Sequence, residues 1–172
     1  MRIEDLTSQF KKSGPAMANR FKVYVADRDL DILCESVAIP GRQLTTADHF
    51  TSLKSSKRVY GFENEDISIT WLTTNDWKAY DYVKAWQDRA IVNINSPSHD
   101  FKVRLKSEYY NPFFIEHLDT KGVPTKRWNI YEAFPTGIQS FELGNSQENT
   151  IVRFTATFSY ENWDVETNPI AI

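Results

Sequence analysis

Thr150 to Tyr160 reads T-I-V-R-F-T-A-T-F-S-Y, and its period of two predicts a long strand. Strand side chains point alternately to opposite faces. Val152, Phe154, Ala156, Phe158 and Tyr160 therefore share one face, and Ile151, Arg153, Thr155, Thr157 and Ser159 the other. The first face can enter a core. The second is wettable, rich in hydroxyls and nearly uncharged, which suits a wall facing water or a partner better than a catalytic element.

The rest of the chain reads outward from this strand. After an N-terminal stretch broken by Gly14-Pro15, Arg20 to Arg28 alternates, with Phe21, Val23 and Val25 on one side. Asp29 and Asp31 mark a turn, and Ile32 to Val37 is expected to return as the second strand of a hairpin, ended by Pro40-Gly41. Asp66 to Thr73 predicts a strand with Ile67, Ile69 and Trp71 on one face. Asn75 offers a helix N-cap and Asp76 a favourable first-turn charge. An amphipathic helix is expected through Ala90, burying Ala79, Tyr82, Val83, Trp86 and Ala90, with Trp77 and Tyr80 at its flanks. Further strands are expected at Phe101 to Lys106, at Phe113 to Leu118, around Trp128 to Tyr131 with a stop at Pro135, and at Ile138 to Leu143. The total, roughly seven or eight strands and one principal helix, predicts a mainly β fold: an antiparallel sandwich or barrel with a helix on its flank.

Between Arg42 and Arg58 the sequence turns polar and rich in Ser and Thr, with Leu44, Phe50 and Leu53 scattered through it. It is too long for a routine turn and reads as a projecting loop or long hairpin. Loops of this size are functional or disordered, and the scattered apolar residues favour docking onto something.

Composition narrows the function. A chain of 172 residues with net charge −3 and a pI near 5.6 has no basic surface of the kind that binds nucleic acid by counterion release. Cys34 is the only cysteine, so no intramolecular disulfide can form and the thiol reads as a small buried hydrophobe. No apolar signal core and no segment long enough to span a bilayer is visible, so the product is expected to stay on the cytoplasmic side unless a dedicated machine exports it.

No catalytic motif emerges. His49, His99 and His117 each adjoin an acidic residue but share no ligand spacing, and they read as surface or turn histidines. No G-x-S-x-G elbow, phosphate-cradling loop or dinucleotide fingerprint occurs. Glu63, Glu65 and Asp66 lack calcium-loop spacing and read as the solvated start of a strand. Lys126-Arg127-Trp128 could stack bases, but a strand with one buried Trp explains it as well. No catalytic, metal or cofactor-binding residue is therefore assigned. What is distinctive is a compact body with arms and open strand edges, which neighbouring copies could complete.

In order along the chain stand R-F-K-V-Y-V after an N-terminal arm, C-E-S-V-A-I-P-G, the long polar loop, I-S-I-T-W-L-T-T-N-D with a helix ending V-K-A-W-Q, F-P-T-G-I, and N-T-I-V-R-F-T-A-T-F-S-Y-E-N-W. By that order and spacing the chain resembles the tail tube proteins of contractile-tailed bacteriophages, over about residues 1–163. These are related to the inner tubes of type VI secretion and tailocin particles. The resemblance implies an N-terminal arm at 1–19, a tail tube β domain at 20–163 with the projecting loop 42–58 and helix 76–90, and a C-terminal tail at 164–172. It implies homohexameric rings stacked into a tube, their sheets joined into one large barrel around a channel that conducts DNA on infection.

Carried onto this chain, Arg42, Leu44, His49, Phe50, Leu53, Lys57 and Arg58 become inter-ring contacts. Ile3, Leu6 and Phe10 become contacts of the N-terminal arm, and Arg153, Thr155, Thr157 and Ser159 face the lumen or a neighbouring subunit. The implied partners are further copies of the chain, a tail sheath protein, baseplate or tube-initiator and tail terminator proteins, and tape measure protein and genomic DNA in the lumen, without sequence-specific DNA binding. No cofactor and no membrane insertion is implied. The implied location is the tail of a virion assembled in a bacterial cytoplasm. Two rivals remain: a baseplate initiator or secretion-particle tube, and a small β-barrel enzyme or ligand-binding protein built on His49 or His117.

Overall fold

The computed structural model describes residues 3, 10, 14–25, 30, 33–51, 54–92, 101–144, 150–167 and 169. The elements in chain order are β1 (Phe21–Tyr24), β2 (Cys34–Val37), β3 (Arg42–Thr51), β4 (Lys54–Asn64), β5 (Ile67–Leu72), α1 (Lys78–Asp88), β6 (Ile91–Val92), β7 (Lys102–Val103), the single turn α2 (Lys106–Tyr109), β8 (Asn111–Leu118), β9 (Pro124–Ile138), β10 (Arg153–Ser159) and β11 (Asn162–Thr167).

Seven strands form the main sheet in the order β1-β8-β9-β10-β5-β2, with β11 also on β9. Every pairing in it is antiparallel. β9 organises the whole. Its first half lies between β8 and β11, and its last residues, 134–138, turn to β10. The bend coincides with a register slip opposite Asn111 and Phe113, where Glu132 sits at φ 53. An extra residue on one strand bends it and sharpens its twist, the action of a β-bulge.

β10 occupies the middle of one half of the sheet, between β5 and β9. Phe154, Ala156, Phe158 and Tyr160 are buried, while Arg153 is exposed and Thr155, Thr157 and Ser159 are half-buried. Ile67, Ile69 and Trp71 of β5 are fully buried beside them. Trp71 stacks on Phe154 at 5.4 Å between ring centroids and meets Phe158 edge-on at 6.0 Å. From β8, Phe113 reaches Phe158 at 5.6 Å. α1 closes this layer through Ala79, Val83 and Trp86, with Trp86 5.5 Å from Phe158 and Tyr80 5.6 Å from Phe154. Offset and edge-on geometries are those that aromatic quadrupoles favour.

Several local expectations are corrected. β1 and β2 do not pair as a hairpin: β1 pairs with β8 and β2 with β5. Each finds a longer apolar partner in a different half of the sheet, and among the described residues no pairing joins β1 to β2. Pro135 does not end a strand but lies inside β9, opposite Phe158 at a register shift. Proline lacks an N–H and is tolerated at bulges and sheet edges. Residues 139–143 are not a strand; Ile138 ends β9. The helix begins not at an Asn75 cap but at Trp77 with φ 53 and no side-chain cap, because Thr74 Oγ1 bonds to the Asp76 carboxylate and the Trp77 N–H to the Thr74 carbonyl. The segment expected as a strand at 101–106 is β7 followed by the turn α2. Residues 164–167, expected in a tail, lie in β11 and pair with β9.

Candidate assembly surfaces

The outer face of β10 is one broad polar surface. In register, Thr155 stands opposite Thr70 and Thr157 opposite Ser68, while Ser36 of β2 stands opposite Thr70 on the other side. Thr70 Oγ1 and Thr155 Oγ1 share a hydrogen bond of 2.9 Å, and Thr136 Oγ1 donates to the Thr157 carbonyl at 3.1 Å. The charge on Arg153 is matched by Glu35, whose Oε2 accepts from Nε at 2.6 Å. Arg153, Thr155, Thr157 and Ser159 are thus brought together on one face, where Thr155 bonds to the Thr70 hydroxyl and Arg153 pairs with Glu35. Such a surface offers little to hold a phosphate or an apolar chain.

Of the two forms expected for the 42–58 stretch, the structure has the long hairpin: it is most of a two-stranded ribbon, β3–β4, that continues to Asn64. Direct cross-strand pairing sorts its side chains by face. Leu44 lies opposite Phe62, Thr46 opposite Val59, Asp48 opposite Lys57 and Phe50 opposite Ser55, so Leu44, Phe50, Val59 and Phe62 share one face. All four are more than half exposed. His49 and Arg58 lie on the other face, with Ala47 and Ser56 as their opposites. Tyr60, 70% exposed, falls at the register shift opposite Thr45 and Thr46. Leu53 lies outside the described residues.

The contacts that tie this arm to the body sit at its base. Arg42 Nη2 donates to Asn162 Oδ1 at 3.3 Å and Asn64 Nδ2 to the Glu161 carbonyl at 2.9 Å. The Arg42 guanidinium lies between the rings of Phe62 and Trp163, 4.8 and 5.0 Å from their centroids. Gly41 packs here too: an added Cβ would come 2.6 Å from Glu65 Oε2. The Tyr160 hydroxyl reaches the Gly41 carbonyl at 3.4 Å, and burial pushes its phenol above the usual range. An isolated two-stranded ribbon is marginal in water, and this one leaves Leu44, Phe50, Val59 and Phe62 more than half exposed.

Sequence reasoning missed Val59, Tyr60 and Phe62 by ending the stretch at Arg58. The signal was present: V-Y-G-F mirrors the apolar spacing around Leu44 once the two strands are set in register.

A third surface is the open cleft between β1 and β2, about 1020 Å³, with Phe21, Tyr24, Val37, Ile39 and Trp128 among its lining. Cys34 is half-buried on its β2 side rather than sealed in the core. Below the cleft Lys22, Glu116, Arg127 and Glu166 stand side by side in register across four strands. Arg127 Nε and Nη2 both donate to Glu116 Oε1, at 2.8 and 2.6 Å, and the guanidinium caps the Phe114 ring at 4.8 Å. The K-R-W segment thus fastens strands rather than presenting bases with a platform.

His117 spends both ring nitrogens locally, one with Thr125 Oγ1 at 2.9 Å and the other with the Met17 carbonyl at 3.2 Å. His49 is exposed on the arm, and His99 lies outside the described residues. Among the described residues no group of three or more His, Cys, Asp or Glu could hold a metal ion, and no helix is long and apolar enough to cross a membrane. Ile3 and Phe10 are exposed, and Leu6 lies outside the described residues.

The model of the family described as phage tail tube protein matches residues 3–166. No curated protein sequence matches the chain significantly. Among solved structures, a chain of the anti-feeding prophage baseplate is 14% identical, with 92% of this chain and 99% of that one covered and a TM-score of 0.66. A chain of the extended PVC sheath–tube complex, from an extracellular contractile injection system, is 19% identical over 94% and 97%, also with a TM-score of 0.66. Hcp1 from Flavobacterium johnsoniae is 11% identical over 86% and 95%, with a TM-score of 0.52. At these identities the likeness is one of fold.

Proposed function

The chain belongs to the phage tail tube protein family, and from that premise we propose that it is the repeating subunit of a contractile tail tube, closing into hexameric rings that stack around a DNA-conducting channel. The observation that carries this reading is the arm. Leu44, Phe50, Val59 and Phe62 share one face of it with the Asp48–Lys57 pair, and each is more than half exposed; further copies of the same chain supply a cover at every level of a stack.

The wall face supports the channel. A lumen lined by Thr155, Thr157, Ser159 and the paired Arg153 and Glu35 gives the phosphate backbone no row of cations to displace its counterions, so DNA passes without being held. The wall half of the sheet ends on β2, which pairs only with β5 among the described residues. A head-to-tail contact at that edge extends the wall from copy to copy, and such contacts close into a ring when the rotation permits. α1 lies on the side away from the wall face, where an enclosing sheath would run. The N-terminal arm, residues 1–19, reaches neighbouring subunits, and baseplate and terminator proteins cover the two ends of the stack. The subunit makes and breaks no bond.

Negative-stain microscopy of the purified chain tests this. Stacked rings or tubes with a central channel are expected. A chain that stays monomeric under all assembly conditions sinks the proposal. Single rings that never extend would instead assign the chain to a baseplate initiator.

A further inference from the structure

An apolar track runs across the sheet into the cleft between β1 and β2. Val165 of β11 stands opposite Trp128 of β9, and Trp128 opposite Ile115 of β8. In the next row Thr167, Lys126, His117 and Phe21 follow one another across four strands. Directly opposed residues share a face, so Val165 and Trp128 lead to Ile115 and Phe21, which line the cleft with Val37 and Ile39. Val165 is 41% exposed and Trp128 half-buried. Glu116, Glu35 and His117 of the cleft wall are already engaged, by Arg127, by Arg153, and by Thr125 and Met17. The cleft therefore suits an apolar occupant better than an ion.

We propose that this cleft is the seat of the chain's own Ile170, Ala171 and Ile172, folded over Trp128 within the same subunit. These three lie outside the described residues, and what precedes them assigns their place. β11 delivers the chain at the right row, with Thr167 beside Lys126, one strand from His117 and two from Phe21. Pro169 has no N–H to continue the ladder and is buried, so the chain at this point lies against the body. The reach suffices: at about 3.4 Å per residue, residues 168–172 span roughly 17 Å, whereas β8 lies roughly 10 Å from β11 at about 4.8 Å per strand. In extended form Ile170 and Ile172 point to one side, as a one-sided track demands. The N-terminal segment is the rival occupant, but its described apolar residues, Ile3 and Phe10, are 82% and 55% exposed. The family match ends at residue 166, so the seat belongs to the chain beyond the matched span. The inference concerns a single subunit and does not rest on the ring reading.

Cys34 lines the cleft and is the only cysteine, so one substitution supplies a pair of thiols. Purified Ile172→Cys and Ile3→Cys chains are treated with bismaleimidoethane and read by intact mass and denaturing gel. Ile172→Cys is expected to take one reagent bridging both thiols within a single chain, and Ile3→Cys only singly capped thiols. Separate capping in Ile172→Cys overturns the proposal. So does a bridge between two chains, which gives the cleft to the tail of another copy, or a bridge in Ile3→Cys, which gives it to the N-terminal segment. Ile170→Asp with Ile172→Asp is expected to keep the circular dichroism and to make Cys34 react about tenfold faster with a bulky maleimide, because thiol reactivity follows access. Equal rates in the folded double variant and the wild type overturn the proposal. If the double variant unfolds, the bridge alone decides.

Discussion

At the residue scale, the Glu116–Arg127 pair takes two charges largely out of water. Glu116 is 2% exposed and its Oε1 takes two guanidinium N–H groups. Removing one partner of a buried pair strands the other charge, which costs about 3–5 kcal/mol. Arg127→Ala is expected to destabilise by that amount in urea unfolding. Replacing both residues by apolar ones of similar size should recover most of the loss, because the penalty belongs to the orphaned carboxylate.

Asp119 gives a second test at this scale. Its Oδ1 accepts from the Val123 N–H at 2.9 Å and the Lys121 N–H at 2.7 Å, closing the turn in which Gly122 sits at φ 81. The Val123 bond is the largest of the influences that hold its carboxyl below the usual range. A group depressed in the folded state stabilises above its unfolded value of about 3.9, and that contribution fades as pH falls through the folded value. Asp119→Asn should therefore lose less stability than the wild type between pH 5 and acid, read as urea midpoints against pH.

At the element scale, the arm and the wall answer different demands. β10 buries every second side chain, so its register is set by the core. β3–β4 buries neither face in the subunit, and its register rests on cross-strand pairs and the contacts at its base. Charged substitutions on the arm should then spare folding and spoil assembly. Phe50→Asp with Val59→Asp is expected to leave the thermal midpoint within about 1 °C, since exposed sites change stability little, and to abolish stacking in micrographs. A large fall in the midpoint would show that the arm belongs to the folding unit.

At the scale of the whole molecule, three unfinished features share one logic. Among the described residues no pairing joins β1 to β2, β2 pairs only with β5, and the arm holds Leu44, Phe50, Val59 and Phe62 more than half exposed. Unpaired edges and uncovered patches are what soluble monomers avoid, and the proposed assembly covers them. Deleting Leu44 to Ser56 should leave a folded, soluble subunit by circular dichroism and light scattering while blocking tube growth. Normal tubes from that deletion would remove the arm from the account.

Much of this was legible in the residues alone. The alternation of Val152 to Tyr160 and of Ile67, Ile69 and Trp71 determined two central strands and their buried faces, because period two admits one assignment once one side is apolar. The spacing of Ala79, Val83 and Trp86 determined the helix and the face it buries. Pairing was another matter. That β1 joins β8 and β2 joins β5, that β9 runs through Pro135 past a bulge at Glu132, and that Leu44 faces Phe62 are contacts between distant residues. Local pattern carries the same signal for either partner, so only the competition among all strands for buried area, settled in the tertiary structure, decided which strands paired.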